Sequence, residues 1–429
     1  MRTGGKHRLV VRQDAVFVRR RRIALLAVVG ILTVVVLGST KVFGLVGGEP
    51  AEAAPAPKPA PAAKPTPTKA KPTIPAPKPS PAEAQGDPGP SEKTAMVQVL
   101  RLTGGLTPKS VVASSTGQVF AQNMMYTHTM VAFRADGARL ATIGDSVDLS
   151  KFGIEGHPGV SKGSPVEVAF TPDGRYAWVS NYSMYGKGFG PEGLDSCTKG
   201  DGTSPSTVYR VDTTTHKIDK VTPVGAVPKY VAVTRDGKRV LVTNWCSMDL
   251  SVIDASSGEE TARIPLGGDN PRGIAVSPDS RQAYVAVMGS DRVVRVDLDA
   301  RKVYDYARTG DGPRHIVESP DGKYLYVTNN NDNTVSKLDR ESGQILKVVR
   351  VGKEPRSMTI SPDGAAIYTV NYSSSSVTKL RTSDLAVVDE VRTDQHPIGI
   401  TYEPTKKAVW VACYGGSILV FDDSRLPVT

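Results

Sequence analysis

The chain has 429 residues, enough for one large all-β domain or for two to three average domains. Its formal net charge of +10 is unevenly spread, because residues 1–93 hold 15 Lys and Arg against 6 Asp and Glu, whereas the rest holds 38 against 37. The part that folds is therefore close to neutral, which removes the electrostatic argument for a nucleic-acid partner.

The N-terminus has the pattern of a membrane anchor. A basic tail over residues 1–22 ends in the block Arg19–Arg22, and an almost uncharged apolar segment follows over residues 23–47. This length spans a bilayer, and the positive flank keeps the N-terminus in the cytoplasm and exports the rest. A cleavable signal peptide is the alternative, with "AEA" at Ala51–Ala53 as a weak cleavage match. This match lies well past the apolar segment, which favours the uncleaved anchor.

Residues 48–93 form a linker rich in Pro, Ala and Lys. Frequent proline disfavours helices and sheets, and so little apolar surface cannot form a core. Such a segment adopts polyproline II at about 3.1 Å per residue, which gives a semi-rigid spacer on the order of 100 Å. Its lysines suit anionic wall polymers, although a plain soluble linker without a partner explains the composition equally well.

The rest of the chain repeats one phrase, seen most clearly in "SPDGKYLYVTNNNDNTVSKLD" at Ser319–Asp339. A proline lies eight residues before the "DG" position of each copy, or before the equivalent position in two degenerate copies. A constant internal offset together with a steady period of about 42 residues indicates a repeat architecture. The seven prolines are Pro108, Pro165, Pro228, Pro271, Pro313, Pro355 and Pro397.

Each unit reads as four strands, because alternating β-branched and aromatic runs are separated by turns that contain Asp, Gly or Ser. Seven such units predict an all-β fold, a seven-bladed β-propeller over residues 94–429. The last unit has only three strands, and Ala95–Gly105 matches the fourth strand of the other units. We therefore expect the N-terminal strand to complete the seventh blade and close the ring.

The segment "YVTN" at Tyr326–Asn329 resembles the YVTN-repeat propellers, which are YncE-like, and more distantly the lactonase-like propellers. The resemblance covers about residues 95–429 and implies the fold better than the function. The motif "GPRH" at Gly312–His315 resembles one in the lactonase-like proteins, in which Arg and His lie near the substrate. Those proteins usually carry a Glu after the strand-two Asn, whereas Asn330 follows Asn329 here. A DNA-binding role, as in YncE-like relatives, conflicts with export and a neutral propeller.

Two departures from the repeat period fall on one face of the predicted propeller. The first unit has about 15 extra residues before Pro165, and the second has about 21 between Asn181 and Thr207. Extra loops on neighbouring blades suggest a lid or a specificity patch, or else decoration that supports the blades.

The same face carries the residue that follows each proline, and five of these seven residues are cationic. This ring predicts an anion-binding funnel, since Arg suits carboxylate and phosphate. The alternative is that each cation pairs with a nearby Asp or Glu. The candidate binding residues are the five cations, His315, and three aromatic residues of the same loops: Lys109, Lys229, Arg272, Arg314, Arg356, His315, Tyr182, Tyr185 and Trp245.

Three cysteines and a recurring asparagine complete the pattern. Cys197 and Cys246 lie in loops of adjacent blades on one face. Because an exported protein folds in an oxidising environment, we expect a disulfide between them. Cys413 takes the asparagine position in the seventh unit and is expected to be a buried thiol. The asparagines that end strand two, such as Asn329, are expected to hold a turn through their amides.

The sequence therefore predicts a single-pass, membrane-anchored propeller outside the cytoplasm, or a secreted one if the N-terminal segment is cleaved. We expect a monomeric binding module for a cell-wall polymer or a surface protein, with no cofactor, no metal and no catalytic residue assigned. The alternatives are a lactonase-like hydrolase of a small substrate and a YncE-like DNA-binding protein.

Overall fold

The computed structural model describes residues 89–190, 192–193 and 196–427. The predicted basic tail, the anchor and all but the last five residues of the linker lie outside these residues. Among the residues that are described, no helix is both long enough and apolar enough to cross a membrane.

The repeated Ser/Thr-Pro-Asp-Gly phrase forms the turn between the first two strands of a unit. In the fifth unit, Ser319 Oγ donates to Asp321 Oδ1 at 2.6 Å and accepts the Tyr324 N–H at 2.9 Å. Gly322 has φ +70°, which favours glycine, and an added Cβ would lie 2.5 Å from Pro278 of the preceding blade. The phrase therefore fixes both the turn and its contact with the neighbouring blade.

Thirty strands lie in the described residues. In chain order they are β1 (Ala95–Leu102), β2 (Ser110–Ala113), β3 (Gln118–Asn123), β4 (Thr129–Arg134), β5 (Arg139–Gly144), β6 (Ser146–Asp148), β7 (Val160–Lys162), β8 (Pro165–Phe170), β9 (Tyr176–Asn181), β10 (Thr207–Asp212), β11 (Lys217–Pro223), β12 (Pro228–Val233), β13 (Arg239–Asn244), β14 (Asp249–Asp254), β15 (Glu260–Pro265), β16 (Pro271–Val276), β17 (Gln282–Val287), β18 (Arg292–Asp297), β19 (Lys302–Ala307), β20 (Pro313–Glu318), β21 (Tyr324–Asn329), β22 (Thr334–Asp339), β23 (Ile345–Arg350), β24 (Pro355–Ile360), β25 (Ala366–Asn371), β26 (Ser376–Arg381), β27 (Val387–Arg392), β28 (Pro397–Glu403), β29 (Ala408–Cys413) and β30 (Ser417–Arg425). Short 3-10 turns cover Ser91–Lys93, Leu149–Phe152, Lys199–Asp201 and Met288–Ser290.

Seven antiparallel four-stranded sheets confirm the seven-bladed propeller. Six blades use consecutive strands: β2–β5, β8–β11, β12–β15, β16–β19, β20–β23 and β24–β27. The seventh blade has the order β1-β30-β29-β28, so the N-terminal strand supplies its outer edge as expected. Its register runs from Ala95 opposite Arg425 to Leu102 opposite Ile418.

The blades are joined by a hydrophobic cluster at each of the seven interfaces. The first strands of neighbouring blades contact one another all the way around and line a central channel. Second strands such as β21 are buried on both faces because each lies between two other blades. Outer strands such as β23 are largely exposed.

The two faces of the ring are distinct. We call the side with the Asp-Gly turns the turn face, and the side with the prolines and the strand-two to strand-three loops the proline face. Pairing of Pro228 with Asn244, and of Pro313 with Asn329, places the start of strand one and the end of strand two together. Both predicted insertions therefore lie on the proline face.

Candidate functional site

The proline face is built by a backbone turn that the sequence analysis did not identify. In blades two to seven, the residue before the proline has a left-handed backbone, with φ between 54° and 66°. Its carbonyl accepts the N–H of the residue after strand two, as in Trp245 N to Val227 O at 2.9 Å and Tyr372 N to Glu354 O at 3.1 Å. This turn brings the residue after each proline close to the residue after each second strand. The six left-handed residues are Ser164, Val227, Asn270, Gly312, Glu354 and His396.

Cations and aromatic rings meet at these paired positions. Lys229 Nζ lies 4.6 Å from the Tyr182 ring centroid and 5.8 Å from that of Trp245. The Arg272 guanidinium lies 5.6 Å from the centroid of the same Trp245 ring. Such pairs stabilise a cation that is partly removed from water.

The same arrangement continues on the opposite side of the channel. Lys109 Nζ lies 5.9 Å from the Tyr414 ring centroid, and the Arg356 guanidinium lies 3.6 Å from that of Tyr372. We call the whole set the mouth ring, because it surrounds the proline-face end of the channel. Its members are Lys109, Lys229, Arg272, Arg314, Arg356, Tyr182, Trp245, Tyr372 and Tyr414.

The cations of the mouth ring are largely removed from solvent. Lys229 is 1% exposed, and Lys109, Arg272 and Arg314 are each 7% exposed. Arg356 is the most accessible of the five, with 17% of its side chain exposed. Aromatic rings pack against four of these cations, Lys109, Lys229, Arg272 and Arg356, and help to cover them.

A hydrophobic cluster covers the mouth ring at blades two and three. Tyr182 and Trp245 lie in this cluster with Cys246, and Phe189 and Cys197 of the second insertion pack against it. Tyr185 lies apart from the ring and stacks on His157 of the first insertion at 3.7 Å. The two insertions therefore contact each other through this aromatic pair.

The predicted disulfide between Cys197 and Cys246 is present, with a Cα–Cα distance of 5.5 Å. It joins the second insertion to the end of β13, next to Trp245. Cys413 is a free, buried cysteine, as expected. Burial and nearby Asp394 raise the pKa of its thiol to about 12, so it is neutral at physiological pH.

Below the mouth ring, three residues on the first strands of blades two, three and five form a polar group in the channel. Tyr230 Oη lies 2.6 Å from His315 Nε2. The Met358 N–H donates to His315 Nδ1 at 2.8 Å, so the proton of the neutral ring is on Nε2. Nε2–H therefore donates to Tyr230 Oη, and the tyrosine keeps its own proton for another acceptor.

Glu167 completes this channel group. Burial raises its pKa to about 7, although the charges of Lys109 and Arg272 and a hydrogen bond from Ser110 act in the opposite direction. Burial and the charge of Glu167 also raise the pKa of Tyr230. The sequence analysis missed Glu167 and Tyr230, yet both lie two residues after a proline, as His315 does.

His315 is neutral in this environment. Burial, together with the charges of Arg272 and Arg314, lowers its pKa to about 3. The channel thus holds a carboxyl group that is half ionised near neutral pH beside a neutral imidazole and a phenol. These groups can exchange a proton with a bound small molecule.

The strand-two asparagines have the structural role that was expected. Asn329 Nδ2 donates to Thr309 O at 3.0 Å, Thr334 Oγ1 at 3.0 Å and Ser336 Oγ at 2.9 Å. Asn371 donates in the same way to the first and third residues of β26. The amide therefore fixes the loop before the proline to the start of strand three.

Comparisons with known proteins agree on the fold. The model of the family "Lactonase, 7-bladed beta-propeller" matches residues 197–350, and that of the "Cytochrome D1 heme domain" matches residues 313–421. A solved structure of Kuenenia stuttgartiensis hydrazine synthase is similar with a TM-score of 0.58 and 20% identity, over 76% of this chain and 98% of that one. No curated protein matches this chain.

The match to a haem domain can be tested against the channel. A haem iron needs an axial ligand such as an imidazole nitrogen that is not already engaged. Both ring nitrogens of His315 are hydrogen-bonded, to Tyr230 and to Met358. The channel histidine therefore does not fit a haem ligand. Across the described residues, no group of three or more His, Cys, Asp or Glu side chains could hold a metal ion.

Proposed function

We propose that this chain is an exported, membrane-tethered propeller that acts as a binding module at the cell surface or wall. The observation that carries the proposal is the mouth ring, which gathers five cations and four aromatic rings at one end of the channel. The ligand is anionic, because Lys and Arg at a water-poor mouth attract carboxylate and phosphate groups.

Two further observations support this proposal. The sequence before the propeller has the charge and hydropathy pattern of an anchor followed by a Pro-rich spacer, and the disulfide is typical of an exported protein. The described chain begins on the turn face, where Ser91 N donates to Asp363 Oδ2 at 2.8 Å. The first described residues therefore lie on the face opposite to the mouth ring.

Co-sedimentation of the purified full chain with isolated cell-wall sacculi tests this function. The mouth-ring variant is Arg356→Gln, because the other four cations are too buried for a charge change that spares the fold. The matched control is Arg295→Gln, whose guanidinium lies 5.1 Å from Tyr304 on the outer strands of blade four. Parent and control should pellet and Arg356→Gln should pellet less; equal pelleting of all three would contradict a ligand at the mouth.

Hydrolysis of a small lactone is the second candidate, favoured by the channel group and by the partial match to a lactonase model. Glu167 would accept a proton from water, and the Tyr230 hydroxyl would donate to the developing oxyanion. A pH-stat assay of lactone opening tests it, with Glu167→Gln expected to abolish turnover. If the parent shows no turnover, the hydrolase candidate is wrong and only the binding role remains.

A further inference from the structure

The mouth ring is not equally accessible around its circumference. On blades two and three, Tyr182 is 2% exposed and Trp245 is 5% exposed. On blades six and seven, where the repeat has no insertion, Tyr372 and Tyr414 are only half-buried and His396 is exposed. A ligand therefore has its best access between blades six and seven.

Arg356 is the cation of this accessible sector, and its guanidinium carbon lies 3.6 Å from the centroid of the Tyr372 ring. Its contact with the buried Glu354 is long, at 3.7 Å from Nη2 to Oε2, and Glu354 Oε2 also accepts the Ser373 hydroxyl at 2.5 Å. A charge-assisted hydrogen bond measures about 2.7–2.9 Å, so this pair is not a tight one. Arg356 Nε is buried and has no hydrogen-bond partner within the protein. A ligand meets Arg356 through the 17% of its side chain that is exposed, where an oxyanion can complement its charge.

The surroundings of Arg356 are aromatic, hydroxylated and small. Tyr372 stacks on His396 at 4.6 Å and meets Tyr414 edge-on at 6.1 Å and 87°. Four serines follow Tyr372, and three of them, Ser373, Ser374 and Ser376, already hydrogen-bond within the protein to Glu354, Lys353 and Asn371. Gly415 and Gly416 follow Tyr414. Aromatic surfaces take the C–H faces of a sugar, and glycines leave room for its ring.

We propose that this sector binds an acidic saccharide, with its carboxylate on Arg356 and its ring in the corner between Tyr372 and Tyr414. The proposal rests on the proposed function, since it names the ligand class of the same mouth. A perpendicular pair of rings offers a corner rather than the parallel slot that a flat nucleobase would fill. The near-neutral propeller also lacks the charge needed to follow a polyphosphate chain.

Isothermal titration of the purified full chain tests this inference with four probes. They are tetragalacturonate, the uncharged maltotetraose, inorganic phosphate and a short oligothymidine. The variants are Arg356→Gln, Tyr414→Ala and the control Arg295→Gln, each checked by its melting curve for an intact fold.

Tetragalacturonate should bind the parent and Arg295→Gln equally, Arg356→Gln roughly tenfold more weakly, and Tyr414→Ala several-fold more weakly. Maltotetraose should bind at least about tenfold more weakly than the acidic tetramer, because it lacks the carboxylates. Equal binding of tetragalacturonate to parent and Arg356→Gln, equal affinity for inorganic phosphate, or preference for the oligothymidine would overturn the saccharide proposal. If tetragalacturonate does not bind as expected but sacculi still pellet the parent and not Arg356→Gln, the mouth binds another ligand and the proposed function stands. If sacculi do not pellet the parent either, both the proposed function and the saccharide proposal are wrong.

Discussion

At the residue scale, the channel group combines two opposite shifts in pKa. The folded-state pKa of Glu167 is raised from 4.5 to about 7, so its contribution to stability is full below pH 4.5 and is lost as the pH rises through 7. The folded-state pKa of His315 is lowered from 6.5 to about 3, so stability is lost as the pH falls from 6.5 through 3. Between pH 4.5 and 6.5 the two effects oppose each other.

Single substitutions should expose each effect. Relative to the parent, the free energy of unfolding of Glu167→Gln should be higher at pH 8 than at pH 4.5, because the variant has no carboxylate to ionise in a buried site. The free energy of unfolding of His315→Asn should be lower than that of the parent at pH 7, and this difference should shrink as the pH falls to 4. The parent then loses the stabilisation that the variant already lacks. Urea unfolding across this pH range measures both, and pH-independent differences would show that the two side chains titrate normally.

At the element scale, a disulfide and side-chain packing join the second insertion to blade three. The disulfide closes a loop with a sequence separation of 49 residues and fixes Cys246 next to Trp245, which contacts Lys229 and Arg272. Loss of this bond therefore affects both the stability of the fold and the covered half of the mouth ring.

We expect the double variant Cys197→Ala/Cys246→Ala to lose roughly 4 kcal/mol of stability, the chain-entropy value for a loop of this length. Differential scanning calorimetry with and without a reducing agent measures the loss. Reduction should lower the melting temperature of the parent toward that of the variant and leave the variant unchanged. If the reducing agent opens the disulfide and the melting temperature of the parent does not change, the disulfide does not stabilise the fold.

At the scale of the whole molecule, the ring is closed by a buried ion pair as well as by strand pairing. Lys379 Nζ lies 2.6 Å from Asp423 Oδ1, and both side chains are fully buried. The same ammonium donates to Thr94 O at 2.7 Å, and the Tyr368 hydroxyl donates to the second oxygen of Asp423. Blade six thus holds the residue before the first strand and the last strand together.

Removal of one partner of the Lys379–Asp423 ion pair should lower the free energy of unfolding. Lys379→Met leaves the Asp423 carboxylate buried without its cation, so we expect a loss of about 3–5 kcal/mol by urea unfolding. Lys379→Met/Asp423→Leu should recover much of that loss because no buried charge is left. Lys337→Met is the matched control, since Lys337 is the equivalent residue of blade five and donates to the Thr382 carbonyl at 2.8 Å rather than to a carboxylate. A double variant no more stable than Lys379→Met would show that the ion pair is not the source of the loss.

The sequence by itself determined the blades and the closure of the ring, because both depend on spacing within and between similar units. It also determined the disulfide, because the repeat places the two cysteine-bearing loops on one face of adjacent blades. The offset from proline to turn fixes strand pairing locally, and the period of about 42 residues repeats it. The unequal spacings also located both insertions on the proline face.

Only the tertiary structure decided what the mouth and channel contain. Tyr230 and His315 are 85 residues apart and meet because blades three and five face the same channel. The covering of the cations by aromatic rings depends on the left-handed residue before each proline, which no residue type marks, since Val227 and Glu354 both adopt it. Contacts across a ring depend on its closure and on side-chain packing, and neither is encoded in the spacing of one unit.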